Sequence, residues 1–236
     1  MSSTTDMAKD DEAASVAEPV DGRTARAVRT REAIVDATIA LLAENDLRPS
    51  APRIAERAGV SVRSVFQHFD DLETLYTAVG ARVRDQVLPL ILHIDPARPL
   101  EERIVDFVHQ RAQVNEALTP TLRAAVVHAP GSRAINDQFQ TGHDFVGTQV
   151  AQVFGPELEL AGDRQVVFDA LLTIASWSVW NSVRSLNRRS EAEAERLLVH
   201  MTASTLGPVV GRDLTGLVDV VEQAGSVPSA DLSEAT

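Results

Sequence analysis

The chain has 236 residues, of which 44% are hydrophobic and 24% are charged, and its formal net charge is -12. This composition is typical of a globular protein of one or two domains and excludes a predominantly disordered or collagen-like chain. The sequence contains no cysteine, which excludes disulfides, thiolate nucleophiles and cysteine-ligated metal centres. The apolar stretch at residues 87–94 is shorter than the roughly 20 residues of a membrane span, and the first residues lack a secretory signal. We therefore expect a cytoplasmic protein with no membrane partner.

Charge is distributed unevenly along the chain. Residues 1–22 carry one basic and six acidic side chains, residues 23–69 carry eight and five, and the remainder carries thirteen and twenty-three. The one segment of net positive charge therefore lies near the N-terminus. Because nucleic-acid binding depends on where positive charge is placed rather than on its sum, the acidic total does not exclude DNA as a partner.

The first 70 residues divide into a tail and three short helices. Residues 1–22 lack apolar periodicity, which predicts a disordered acidic tail. A first helix follows, because apolar residues recur from Ile34 to Leu42 at the spacing of one helix face. A second begins near Ser50 and ends at Gly59, and a third is capped by Ser61. Two short helices joined through a glycine turn are typical of a helix-turn-helix, so we predict a DNA-binding domain at residues 23–70.

The remaining sequence predicts helices only, which makes the fold class all-α. Residues 71–224 form a larger helical domain in this interpretation, and residues 225–236 a second disordered tail. Gly and Pro clusters cut the domain into segments near residues 100–118, 120–128, 132–154, 163–186 and 191–206. Ser132 is expected to cap one helix, and Ser190 with Glu193 to form a capping box at another. A last short helix is expected after Asp213.

Residues 30–80 carry a specific signature in three stretches, Ile54-Ala55-Glu56-Arg57-Ala58-Gly59-Val60-Ser61, Val65-Phe66-Gln67-His68-Phe69 and Glu73-Thr74-Leu75. This signature resembles the N-terminal domain of the tetracycline-repressor (TetR) family of bacterial regulators. The resemblance implies a three-helix DNA-binding domain, a helical ligand-binding and dimerising domain, and repression relieved by a small-molecule effector. Three positions depart from the family pattern: Arg63 replaces a usual Gly, Phe66 a usual Tyr and Leu72 a usual Lys. The last two remove polar contacts to phosphate, and Arg63 adds a cation that can contact phosphate or guanine.

The candidate DNA contacts lie on the third helix, at its cap, at the start of the second helix and on an arginine arm ahead of the first helix. They are Arg23, Arg26, Arg29, Ser50, Ser61, Val62, Arg63, Ser64, Phe66, Gln67 and His68. For the arm, a solvated run of arginines that does not touch DNA is the alternative. Val62 and Phe66 fit either core packing or a position at the DNA groove.

A homodimer is predicted from the last two long helices. The segment at residues 163–186 is apolar on nearly every side, so it must be buried on nearly every side. By resemblance it pairs with the helix at residues 191–206, and the two helices form a four-helix interface with the same pair of a second copy. A palindromic operator requires such a homodimer. The alternative is that both helices complete a monomer core. The interface candidates are Phe168, Leu172, Val179, Val183, Leu197, Leu198 and Met201.

An effector pocket is expected between the helices of the second domain. Ligand sites are mostly apolar with a few polar groups, which selects Phe107, Arg111, Asn115, Phe139, His143, Phe145, Trp177 and Trp180. For each aromatic residue in this set, packing in the core is the alternative. Arg111 falls on an apolar helix row, so it is either paired with an acid or free to bind an anionic ligand.

Catalysis finds little support in the sequence. The six histidines are scattered, and no metal-binding or nucleotide-binding spacing occurs. We therefore expect no enzyme, no cofactor and no metal site. The leading interpretation is a transcriptional repressor released from operator DNA by an effector. The alternative is a helical ligand-binding or protein-interaction module whose DNA binding is weakened or lost, as Phe66 and Leu72 would allow.

Overall fold

A computed structural model describes residues 22–217. The predicted tails at residues 1–22 and 225–236 lie outside this range, apart from Gly22, as do the end of the last predicted helix and the side chain of Arg23. Within it the chain forms nine α-helices and no strand, which confirms the all-α prediction. They are α1 (Gly22–Ala43), α2 (Ala51–Ala58), α3 (Val62–His68), α4 (Leu72–Val87), α5 (Leu100–His128), α6 (Arg133–Leu160), α7 (Arg164–Ala175), α8 (Trp177–Asn181) and α9 (Glu191–Val210). A 3-10 turn, Leu88–Leu90, follows α4, and a π-helical turn, Ser182–Leu186, follows α8.

Short polar side chains begin most of these helices, as the sequence predicts. The hydroxyl of Ser61 accepts a hydrogen bond from the amide of Ser64, and that of Ser132 accepts one from Ile135. Ser190 and Glu193 form a reciprocal capping box at α9. Each cap satisfies amide groups that have no partner within the first turn of a helix. These caps set where α3, α6 and α9 start.

The N-terminal core joins α1, α2, α3 and α4. Ile34 and Leu42 of the predicted α1 stripe are 0% and 1% exposed, and the hydroxyl of Thr38 between them donates to the carbonyl of Ile34. Ile54 of α2 and Val65 of α3 pack against this stripe. The helix α1 begins at Gly22, so Arg26 and Arg29 lie on its first turns. The prediction of an arm ahead of the first helix was therefore wrong.

The larger helical layer is built by α5 to α9, and three of its predicted boundaries were wrong. Helix α5 continues through Pro120, and α6 continues through Gly155 and Pro156 with a bend at Phe154. A proline removes one helical hydrogen bond, but buried contacts on both sides of it can hold a helix together. Helix α9 likewise runs past Gly207 and Pro208 to Val210.

The helix predicted at residues 163–186 is instead broken at Ser176. This residue has extended backbone angles, φ -70° and ψ 148°, and its side chain caps α8 by accepting from the amide of Val179. The two parts are bent by 49° from one another. Between Gly22 and Leu217, no single helix is long and apolar enough to cross a membrane, and only this bent pair passes that test of length and composition.

Candidate DNA-binding surface and effector cavities

The outer face of α3 is formed by four residues that the fold leaves exposed. Val62, Arg63, Phe66 and Gln67 are all accessible, whereas Val65 between them is 1% exposed and anchors the helix in the core. Phe66 keeps 49% of its surface accessible. The open choice between core and surface for Val62 and Phe66 is thus decided by packing, which uses Val65 and Phe69 instead.

A left-handed turn aims α3 away from α2. Gly59 has a φ of 68°, a conformation that side chains with a Cβ rarely adopt, and its amide closes α2. The extended Ser61 then starts α3 on a new axis. Sequence and structure agree on both positions, and together they form a helix-turn-helix with α3 as its second helix.

Positive charge surrounds this helix-turn-helix. Arg26 and Arg29 are exposed on α1, and Arg31 lies 4.8 Å from the centroid of the Phe69 ring at the end of α3. Arg48, which the sequence did not single out, is exposed in the turn before α2. Its signal in the sequence was the net positive charge of residues 23–69.

Ion pairs occupy some of the acids near this surface. Arg57 holds both carboxylate oxygens of Glu44 at 2.7 Å, and Arg53 contacts Asp46 at 2.7 Å. Arg63 forms no ion pair with any residue of the range 22–217.

Ser50 is extended and exposed at the start of α2, but its side chain makes no capping bond there. Ser64 and His68 are half-buried.

Two neighbouring cavities open among the helices of the larger layer. The first, of about 220 Å³, lies between α4, α5 and α6. The second, of about 680 Å³, lies between α5, α6, α7 and α8. The residues bordering both are Arg111, Leu118, Leu122, Gln138, Phe139, Gly142 and Val146.

Six of the eight predicted pocket residues border a cavity. Arg111 and Phe139 line both, Phe145 lines the first, and Asn115, His143 and Trp177 line the second.

The other two predicted pocket residues, Phe107 and Trp180, pack in the core and border neither cavity. Phe107 packs edge to face on Phe154 with ring centroids 5.2 Å apart. Trp180 is fully buried and donates its indole N–H to Glu116 over 2.8 Å. Apolar spacing marks a buried face but does not distinguish a solid core from a cavity wall.

Arg111 is a buried cation beside neutral partners. It is 4% exposed and donates to the side-chain oxygens of Gln149 at 3.3 Å and Asn115 at 3.1 Å. Its Nε has no hydrogen-bond partner among residues 22–217. Burial lowers the pKa of this guanidinium to about 10, because removal from water disfavours the charged form. The side chain is therefore still positively charged at neutral pH.

Helix α4 connects the DNA-binding helices to the first cavity. Its N-cap Asp71 follows α3, and hydrogen bonds from Thr74 hold the pKa of Asp71 below its usual range. Tyr76, Val83 and Val87 farther along α4 line the first cavity. The ring of Tyr76 stacks on His128 of α5 at 4.3 Å, and burial raises the pKa of its hydroxyl to about 12.

Two hydrogen bonds tie α4 to α6, and the sequence indicated neither of them. Ser132 at the start of α6 donates to Glu73 over 2.6 Å, and Gln138 donates to the carbonyl of Thr77 over 3.2 Å. Gln138 also lies so close to Gly80 that a Cβ there would come within 2.6 Å of its Oε1.

The predicted dimer residues divide by burial. Leu172, Val183 and Leu198 are 7%, 5% and 1% exposed, so the chain buries them in its own core. These three side chains pack in the core that the chain forms with α5 and α6, and their place in a dimer interface stays a prediction.

Four members of the predicted interface remain accessible. Leu197 is 36% exposed, and Phe168, Val179 and Met201 are half-buried. Val166 of α7, which was not in the predicted set, is 62% exposed.

The described residues contain no group of three or more side chains that could hold a metal ion.

Comparison with known proteins supports the family resemblance. Residues 34–79 match the model of the family described as bacterial regulatory proteins, tetR family. This segment holds the C-terminal part of α1 and all of α2 and α3, and it ends within α4. The resemblance drawn from the sequence is thereby confirmed. No curated protein matches the chain.

Several solved structures share its fold, among them three that cover more than three quarters of this chain. A TetR-family transcriptional regulator from Streptomyces coelicolor is 20% identical with a TM-score of 0.63, and the match covers 83% of this chain and 89% of that one. A chain assigned to the same family from Mesorhizobium loti is 22% identical with a TM-score of 0.58, over 78% and 98%. A TetR transcription regulator from Haloarcula marismortui is 20% identical, also at 0.58, over 77% and 98%. The likeness extends through the larger helical layer as well as the N-terminal helices.

Proposed function

We propose that this TetR-family transcriptional regulator is a homodimeric repressor that binds a palindromic operator through α3 and is released by a small molecule. The observation that carries the proposal is the pairing of an exposed, acid-free α3 with a cavity whose wall includes the helix that follows it, α4. One element thus adjoins both the DNA-binding surface and the cavity. This arrangement supports a regulator whose DNA binding responds to cavity occupancy.

In this proposal Arg63 and Gln67 contact base edges in the major groove. A guanidinium suits the acceptors of guanine and a side-chain amide suits adenine. Phe66 and Val62 lie beside them on the same exposed face and supply apolar contact to thymine methyl groups or sugars. Ser61, Ser64 and His68 lie at the edges of this face.

Contacts to the DNA backbone come from the surrounding positive charge. Ser50, Arg26 and Arg29 are exposed, and Arg23 lies beside them in sequence. Arg48 joins this set as a candidate from the structure. Such phosphate contacts position the protein and strengthen binding to every sequence alike. They compensate for the phosphate contacts that Phe66 and Leu72 do not make.

The dimer of this proposal forms through the outer faces of α7 and α9. Leu197 and Met201 lie one helical turn apart on α9, and Val166 is the most exposed apolar residue of α7. Burying exposed apolar side chains is favourable at about 25 cal/mol per Å². Phe168 and Val179, which stay half-buried in the single chain, fit the rim of the same interface.

Release from DNA requires that the effector bind the DNA-incompetent arrangement more tightly. The hydrogen bonds from Ser132 and Gln138 to α4 provide a route, since both residues lie on or cap the cavity helix α6. A ligand that moves α6 also moves α4. The two α3 helices of a dimer then leave the spacing of about 34–36 Å between successive major grooves.

The proposal is tested by DNA binding and oligomeric state together. Fluorescence anisotropy with DNA from upstream of the chain's own gene and its neighbours should identify one duplex bound far more tightly than random DNA. Light scattering should give the mass of a dimer at micromolar concentration. Transcription in vitro from that promoter should fall when the protein is added. A monomer, or equal affinity for all DNA, would contradict the proposal and favour a ligand-binding module without an operator.

A further inference from the structure

The described residues that line the two cavities carry no negative charge. Among residues 22–217, no Asp or Glu borders either cavity, whereas Arg84 and Arg111 border the first and His143 borders the second. The whole chain has 34 acidic residues against 22 basic ones. An acid-free wall with two arginines therefore runs against the overall charge of the protein and favours an anionic occupant.

Within the described part of the chain, Arg111 lacks the counterion that a buried guanidinium normally has. Its side-chain contacts within the described chain are neutral amides, and one N–H, on Nε, is left without a partner. Buried charges in proteins are otherwise paired, because removing an unpaired ion from water is strongly unfavourable. The missing partner points to a negatively charged group that comes from outside the chain.

Arg103 on the same helix shows what a satisfied site looks like. It is 4% exposed, the same as Arg111, but it binds both carboxylate oxygens of Glu157 at 2.6 and 2.9 Å. Arg103 also donates to the carbonyls of Val153 and Arg98. Arg103 and Arg111 are equally buried, so burial does not explain why Arg111 has no carboxylate partner among the described residues.

We propose that the effector is a compact amphipathic carboxylate whose headgroup binds Arg111 and whose apolar body fills the first cavity, an inference that rests on the ligand-released repressor described above. A planar guanidinium matches a carboxylate with two parallel hydrogen bonds. The body would contact Val83, Val114, Leu118 and Phe139, which lie on all three helices around the cavity.

The size and charge of the site narrow this class further. The first cavity, at about 220 Å³, is smaller than most ligand sites, which favours a short chain or a single ring. One buried cation matches one negative charge, whereas a doubly charged phosphate would need more donors than Arg111 and its neutral neighbours provide.

Titration calorimetry of the full chain without DNA tests the inference. The probes are butyrate, octanoate, dodecanoate and 4-phenylbutyrate, each compared with its uncharged primary amide. At least one carboxylate should bind the wild type about tenfold or more tightly than its amide, as expected for a charge-assisted hydrogen bond in a buried site. Arg111→Met should reduce that ratio to about one, while the control Arg133→Met, at a 94% exposed arginine that borders neither cavity, should keep it.

Several outcomes overturn the inference. These are amides that bind the wild type as tightly as their acids, failure of every carboxylate to bind, or a preference that persists in Arg111→Met. If Arg111→Met does not fold, the wild-type ratio decides. Carboxylate binding that leaves operator affinity unchanged would support this inference and contradict release from DNA. If the neutral amides released the protein from its operator as well as the acids did, release from DNA would be supported and this inference would be contradicted.

Discussion

Gln138 of α6 lies directly against Gly80 of α4, and its amide donates a hydrogen bond to the carbonyl of Thr77 one turn earlier. Gln138 also borders both cavities. A side chain that touches a cavity and the backbone of α4 is placed to transmit ligand binding to the DNA-binding helices.

The coupling between cavity and α4 is therefore expected to depend on Gln138. Gln138→Ala should reduce the factor by which the tightest-binding carboxylate probe weakens operator binding, because the variant cannot form the hydrogen bond to α4. Coupling energies of this kind are typically about 1–3 kcal/mol. Operator titration with and without the probe measures the factor. Gln152→Ala, at an exposed α6 residue that borders neither cavity, should leave it unchanged. Equal factors in the two variants would contradict this route.

DNA readout is expected to centre on the exposed face of α3. Arg63→Ala and Gln67→Ala should each weaken operator binding by about 1–3 kcal/mol and relax the preference at one base pair. Arg133→Ala, which removes an equally charged but 94% exposed side chain outside the helix-turn-helix, serves as the control. Anisotropy titrations over a panel of single-base operator variants provide the measurement. If neither α3 variant differed from the control, α3 would not be the recognition helix.

The positive charge on α1 should strengthen binding to all DNA sequences by a similar factor. Replacing Arg26 and Arg29 together by Ala should weaken specific and random DNA by similar factors, because phosphate contacts carry no base information. The dependence of affinity on salt concentration should become shallower by about one unit of slope for each phosphate that the variant no longer neutralises. Titrations at several salt concentrations measure this slope. An unchanged slope would show that these arginines remain in solvent in the complex.

Two neighbouring leucines of α9 should respond in opposite ways. Leu197 is 36% exposed and Leu198 is 1% exposed. Leu197→Glu should give folded monomers, because it places a charge in the dimer interface while the core is intact. Leu198→Ala should keep the assembly but lower the free energy of unfolding by about 2–5 kcal/mol, as large-to-small changes in a core do. Light scattering and urea denaturation separate the two effects. If the Leu197→Glu variant were a dimer, the interface would have to lie on another surface.

The two buried arginines of α5 provide a matched pair for stability. Arg103→Met should lower the free energy of unfolding by about 3–5 kcal/mol, because it leaves the carboxylate of Glu157 buried and unpaired. Arg111→Met leaves no buried charge behind and removes an unpaired one, so the stability should stay within about 1 kcal/mol of wild type. Urea denaturation of the ligand-free proteins measures both. A large decrease in Arg111→Met would indicate that its amide contacts are structurally essential.

Stability should fall in acid through Glu116, among other carboxylates. Hydrogen bonds from Arg184, together with one from Trp180, hold the pKa of Glu116 below its ordinary value of 4.5. A carboxylate with a lowered folded-state pKa contributes stability above the unfolded-state value and loses it as the pH falls through the folded-state value. The advantage of the wild type over Glu116→Gln in melting temperature should therefore shrink below pH 4.5. An advantage independent of pH would contradict a role for the charge.

Local patterns in the sequence determined the helices of the DNA-binding region and the starts of α6 and α9. The stripe from Ile34 to Leu42, the turn at Gly59 and the caps at Ser61, Ser132 and Ser190 are all set by residues within a few positions of each other. Interactions of this kind act over one or two helical turns, so they can be deduced from spacing and residue type. The family signature adds the function of the same region.

Tertiary structure decided which apolar side chains are covered. Leu197 and Leu198 are adjacent in sequence and equally hydrophobic, and only the packing of α9 on α5 buries one of them. The same holds for Val65 and Phe66 of α3, and for Trp180, whose place in the core depends on the break at Ser176. Periodicity shows that a helix has an apolar face, but the neighbouring helices determine how much of that face is covered.

Whether an acid pairs with Arg111 was also decided by the tertiary structure. The sequence left open whether an acid pairs with it, since any of the 34 acidic residues could have folded back against α5. In the folded chain its guanidinium donates to the side-chain oxygens of Gln149 and Asn115, while Glu157 pairs with Arg103. Ion pairing between helices depends on contacts between residues far apart in sequence, and no local pattern encodes them.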